Sequence, residues 1–277
     1  MKSFLMVIRG FLIGTAEAIP GISGGTVALI VGIYKFLIDS ISNFFLRVFG
    51  IVNKSLRPNE KIQWPKLALI AIGMALGLIL MARLIEPLIS DYPAVTFSFF
   101  GGLVLASVYY PIRLAGAVSA ISSVWLVPGV FVGLLLSGEL FEWTLQVATP
   151  VAAAFAISAL VLPGVSGSFL LLLFGSYEST ISALNNLDIG YLASFAAGAL
   201  IGLLTIVFVV RWFLTNFPKP TYLFMAGLML GTLPGLFPDL GNGILERMPV
   251  ILSAVLGLAL VSIFILVERK MNFSSTD

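Results

Sequence analysis

Two short runs carry most of the polar chemistry of an otherwise apolar chain. They are Pro20-Gly21-Ile22-Ser23-Gly24-Gly25-Thr26 and an echo 143 residues later, Pro163-Gly164-Val165-Ser166-Gly167-Ser168. In each, Pro-Gly ends one helix and the Ser-Gly stretch starts another. A helix start offers unpaired backbone N–H groups and partial positive charge. Gly24, Gly25 and Gly167 let a ligand approach the main chain, and Ser23, Thr26, Ser166 and Ser168 add hydroxyl donors. These seven residues suit a phosphate or another oxyanion. The competing reading is structural, with serines as helix caps and glycines as sites of close helix packing. A matched pair of breaks in corresponding halves of a hydrophobic chain favours a transporter's binding site.

Ionisable side chains inside apolar sequence are costly unless paired or wetted, which makes each a candidate. Glu17, three residues before Pro20, reads as a proton or cation site beside the anion pocket, as a cap, or as a partner for Arg9. Leu160 aligns with it in the second half, so one motif alone carries an acid. Arg83 and Glu86 are spaced i, i+3 and either neutralise each other or touch substrate. Lys35 and Glu178 hold equivalent places with opposite charge, and either snorkel to their surfaces or bridge the halves. Topology alone accounts for Arg113 and Arg211 at cytoplasmic ends. The chain has no cysteine and no histidine. That excludes disulfides and histidine acid–base chemistry, and no metal or cofactor is expected.

The elements that must position these residues are helices in a membrane. Of 277 residues, 59% are hydrophobic and 10% charged, where a soluble domain carries roughly a quarter charged. The chain is an all-α polytopic membrane protein whose partner is the bilayer and not nucleic acid. Met1-Lys2 leads into an apolar run that continues into the first motif, so no cleavable signal is expected. Stretches 67–89, 114–137, 190–214 and 249–268 are long enough to cross, and 95–111 and 221–237 just span. Residues about 4–46 and 144–184 read as re-entrant hairpins, since an arm over 4–18 is only about 22 Å long as a helix.

Arg47, Lys54, Arg57, Lys61 and Lys66 cluster around a single acid, Glu60. That loop should be cytoplasmic, with both termini on the same side; Arg83 and Arg247 depart from the rule. Gly32-Ile33-Tyr34 answers Gly175-Ser176-Tyr177 at the offset of 143, and Gly73, Gly77, Pro93 and Gly102 answer Gly198, Gly202, Pro218 and Gly227 at 125. Each half, 1–138 and 139–277, then holds one hairpin and three crossings. The second half must be inserted upside down, an inverted-topology repeat.

The run from Gly14 to Thr26 with Gly32-Ile33-Tyr34, the second Pro-Gly-Val-Ser-Gly run, and the paired elements Phe99-x-x-Gly102-Leu103 and Phe224-x-x-Gly227-Leu228 carry a resemblance. Over nearly the whole chain they resemble the bacterial polyprenyl-phosphate transporter family of the PopT type. The resemblance implies a flippase of the bacterial cytoplasmic membrane, not an enzyme. It would return undecaprenyl phosphate from the outer to the inner leaflet for cell-envelope synthesis, with the seven motif residues lining the phosphate site. More distantly, the chain is similar to undecaprenyl-diphosphate phosphatases, whose Pro-Gly-x-Ser-Arg-Ser motif has an arginine where Gly24 or Gly167 stands here. That departure speaks against phosphoryl transfer, because the arginine would stabilise the transferring group. A phosphatase-like enzyme and a small-anion transporter are the rival readings.

Overall fold

A computed structural model describes residues 2–17, 23–49, 62–137, 145–237 and 244–273, and every regular element among them is helical. Helices α1 (Lys2–Glu17) and α2 (Gly24–Ile30) flank the first motif, and α3 (Tyr34–Val48) follows at a bend of 118°. Then come α4 (Trp64–Asp91), α5 (Pro93–Ser107), α6 (Tyr109–Ala115), α7 (Ala120–Ser123) and α8 (Leu126–Leu136). Around the second motif stand α9 (Thr149–Val161), α10 (Gly167–Leu173) and α11 (Tyr177–Asn186). Helices α12 (Ile189–Asn216), α13 (Pro218–Thr232) and α14 (Ile244–Phe273) complete the chain. Gly32 and Gly175 turn the chain after α2 and α10 with φ of +72° and +60°, a region that side chains enter only with strain.

Among the described residues, four segments are long and apolar enough to cross a bilayer: part of α4, α5 with α6, α12 and most of α14, with the bent α2–α3 pair a possible fifth. They cover four of the six expected crossings. The expected crossing at 114–137 is not one helix. Gly116 ends α6 at φ +76°, Ser119 caps the four-residue α7, and α8 has only 11 residues, about 17 Å. The crossing expected at 221–237 is α13, 15 residues long, after which Pro234 opens a 3-10 turn.

Close packing follows the glycines. A β-carbon on Gly73 or Gly77 of α4 would strike the carbonyl oxygens of Val7 and Phe11 on α1. On α12, Gly198 and Gly202 sit likewise on Pro150 and Ala154 of α9, residues offset by 143 from Val7 and Phe11. Gly102 of α5 meets Ala254 of α14, and Gly227 of α13 meets Leu126 of α8. Small residues let backbones approach where lipid provides no hydrophobic drive between helices. Helix α13 is central, with Leu223, Met225, Ala226, Leu228 and Met229 buried. Outward faces of α4, α12 and α14 expose Ile72, Ile79, Ile201, Leu252 and Leu256, as expected where lipid is the solvent.

Helix α12 also measures the molecule. Tyr191 near its start touches Thr180 of α11, and Arg211 near its end touches α3. Twenty helical residues span about 30 Å, the thickness of the hydrocarbon core. Helices α3 and α11 therefore lie at opposite faces.

Candidate functional site

The described residues of the two motifs meet, and Ser23 and Thr26 of the first are hydrogen-bonded to the segment around the second. Pro20, Gly21 and Ile22 lie outside the described residues. Ser23 has extended backbone (φ −103°, ψ 137°), and its Oγ accepts the Gly25 amide at 3.1 Å. The same hydroxyl donates to the Leu162 carbonyl at 2.9 Å, pinning the start of α2 to the end of α9. Thr26 Oγ1 accepts the Gly164 amide at 2.9 Å, and the Tyr34 hydroxyl donates to the Val161 carbonyl at 3.0 Å. Ser23, Thr26 and Tyr34 are all buried, and buried polar groups persist when they are hydrogen-bonded in this way. The Glu17 carboxylate accepts the Gly24 amide at 2.7 Å.

In the second motif the residue equivalent to Ser23 lacks these partners. Ser166 is extended (φ −95°, ψ 127°), but no side chain caps the start of α10. Its hydroxyl lies 3.0 Å from that of Ser168, which is exposed. Gly164 turns at φ +87° with its main chain against Met229, leaving no space for a side chain. A chamber of about 250 Å³ opens here, lined by Gly164, Ser166, Ser168, Phe97, Thr232 and Gly235 among others. Clustered hydroxyls beside an uncapped helix start can donate to an anion. Gly167 presses on the Ala156 carbonyl, so its close approach is to α9. Thr26 borders a different cavity, an apolar cleft of about 520 Å³ between α1, α2, α5 and α14.

The ionisable candidates are dispersed. No ion pair joins Arg9 to Glu17; eight helical residues separate them by about 12 Å. Lys35 pairs with Asp39 on its own helix at 3.1 Å, so it does not bridge to Glu178, which is exposed on α11. The side chains of Arg83 and Glu86 lie outside the described residues.

Sequence reasoning missed one cluster. Arg211 is buried, although its place at a helix end suggested only topology. Its Nε lies 3.4 Å from Asp39 Oδ1, and its Nη1 donates to Asn43 Oδ1 at 2.8 Å and to Ser42 Oγ. Ser42 and Asn43 are buried. A signal was present: Asp39, Ser42 and Asn43 sit at i, i+3 and i+4, a polar stripe on one face of α3.

Residues 13–242 match the family described as undecaprenyl phosphate translocase-like. A polyprenyl-phosphate transporter of Vibrio cholerae serotype O1 is 34% identical over 243 residues, covering 83% of this chain and 76% of the relative. A polyprenyl-phosphate transporter of Staphylococcus aureus is 29% identical over 268 residues, covering 87% and 88%. No solved structure matches.

Proposed function

The chain belongs to the undecaprenyl phosphate translocase-like family, and on that premise we propose how it carries a polyprenyl phosphate across the bacterial cytoplasmic membrane. Membership makes it a transporter and not an enzyme. The phosphate head enters the chamber beside α10, where Ser166 and Ser168 donate to it along with the main chain at Gly167. The first motif, Ser23, Gly24, Gly25 and Thr26, forms the other wall of the path and receives the head later in the cycle. The prenyl tail stays in lipid and follows the apolar cleft past Thr26, on whose wall Thr15 has a buried hydroxyl without a partner.

Sidedness belongs to the same proposal. Lys35, Arg47, Lys66, Arg113 and Lys219 lie toward the α3 face, and Asp91, Glu178 and Asp188 toward the α11 face. The positive-inside rule then makes the α3 face and both termini cytoplasmic. The chamber opens outward, and transport runs from the outer to the inner leaflet. The two halves form an inverted repeat of hairpin and crossings. Its support is the glycine contacts of α4 on α1 and of α12 on α9, equivalent at one offset, together with α3 and α11 at opposite faces. Glu17, held on the Gly24 amide, is the acid placed, among the described residues, to exchange a proton as the head passes.

The observation that carries this reading is the uncapped start of α10 facing an open chamber midway through an apolar protein. Reconstitution into vesicles with a fluorescent polyprenyl phosphate tests it. The parent chain should speed translocation well above empty vesicles, and a Ser166→Ala/Ser168→Ala double variant should lose at least about tenfold, the scale of one or two charge-assisted hydrogen bonds. Translocation no faster than in empty vesicles overturns the reading. Uptake of inorganic phosphate without lipid would favour a small-anion transporter instead.

A further inference from the structure

Several positions related by the 143-residue offset are buried in the first half and open in the second. Leu29 is 3% exposed and its counterpart Leu172 is 53% exposed; Tyr34 is 4% exposed and Tyr177 36%. Ser23 is buried on backbone carbonyls, whereas Ser166 borders the chamber. The α3 face is shut where the α11 face is open. The polar residues at the two faces follow the same division. Lys35, Asp39 and Asn43 on α3 correspond to Glu178, Ser182 and Asn186 on α11. Asp39 and Asn43 reach across to Arg211 of α12, while Asn186 donates only as far as Ser182 on its own helix, and Glu178, Ser182 and Asn186 are exposed.

We propose that Arg211, gripped by Asp39, Ser42 and Asn43, is the latch that holds the α3 face closed, and that each transport cycle requires this grip to release as the α11 face closes. The inference rests on the transporter reading and adds the residues that set which face is open. The chemistry suits a reversible closure. An ion pair taken from water loses in desolvation roughly what it gains in attraction, so its closed and open forms stay close in free energy. Asp39 and Lys35 also keep the outer edge of the cluster in contact with solvent, with side chains 26% and 66% exposed, which gives water a route in. Tyr34 ties the same closure to the centre. It begins α3, packs in the core with Tyr222, and donates to Val161 at the tip of the second motif. Release of α3 would therefore pull on the junction between the motifs, where the phosphate must pass. Arg211 is thus a positioning residue and does not contact the lipid.

The chain has no cysteine, so single reporters can be placed at the equivalent positions Leu29→Cys and Leu172→Cys. Each is labelled with a membrane-impermeant maleimide in sealed vesicles of both orientations. In the parent background Leu172→Cys should label fast and Leu29→Cys slowly. Asp39→Asn should raise labelling of Leu29→Cys from the α3 face at least fivefold and lower that of Leu172→Cys. Asn43→Ala, which leaves the charge pair in place, should shift both reporters the same way by less. A latch is overturned if folded variants leave both rates unchanged, or if both reporters become faster together, which marks general loosening. The labelling needs no lipid substrate, so it judges the latch separately from the vesicle assay that judges transport.

Discussion

Ser23 and Ser166, at equivalent places in the two Pro-Gly motifs, share an extended backbone and differ in what their hydroxyls do. Ser23 spends its hydroxyl on the Gly25 amide and the Leu162 carbonyl, and Thr26 and Glu17 take up the Gly164 and Gly24 amides. Ser166 and Ser168 hold only each other at the edge of an open chamber. The hydroxyls of one motif are therefore tied into the protein, and those of the other border an open chamber. The lesson is that equivalent residues can share a backbone conformation while their neighbours decide whether the hydroxyls are engaged or available.

That division can be broken by substitution, with the largest effect expected where the closed face is held by charge. Arg211→Ala leaves Asp39 with Lys35 alone and takes the cationic donor from the buried Ser42 and Asn43, and should cost about 3 kcal/mol of stability. Glu178→Gln, on the open face, should stay within about 0.5 kcal/mol; thermal unfolding of the purified proteins compares them. Ser23→Ala removes a cap and a buried bridge together and should cost about 2 kcal/mol. Ser166→Ala should leave the melting temperature unmoved while slowing lipid translocation. Equal destabilisation by the two serine variants would erase the distinction between the motifs. Tyr34→Phe should cost about 1 kcal/mol through the lost bond to Val161, and Tyr177→Phe should cost nothing measurable in the same unfolding assay. Little stability change is expected for Glu17→Gln as well, because the amide oxygen still accepts from Gly24. Its effect should fall on transport, flattening the dependence of translocation on pH; identical pH profiles in parent and variant would remove Glu17 from coupling.

Much of the architecture was legible because lipid imposes simple rules. Lengths of apolar sequence placed α4, α12 and α14, and the second Pro-Gly break placed the end of α9. The span at 114–137 misled because its many apolar side chains mask Gly116 and the Ser119 cap, which divide it into short helices. The seven motif residues were legible as a set, but their division of labour was not. Ser23 and Ser166 look alike in sequence, and the carbonyls that engage Ser23 come from 159–162, over a hundred residues away. Arg211 was hidden for a related reason. A basic residue at a cytoplasmic helix end already has a sufficient explanation, and its partners on α3 are 168 residues distant.

Photo-crosslinking with a polyprenyl phosphate analogue bearing a diazirine next to the phosphate tests most directly whether the second motif receives the head group. With the protein in membranes, adducts should concentrate at Ser166–Phe169 and Thr232 and fall away when unlabelled polyprenyl phosphate competes. Adducts confined to the lipid-facing surfaces of α4 and α14, indifferent to competitor, would contradict the assignment of the chamber as the site.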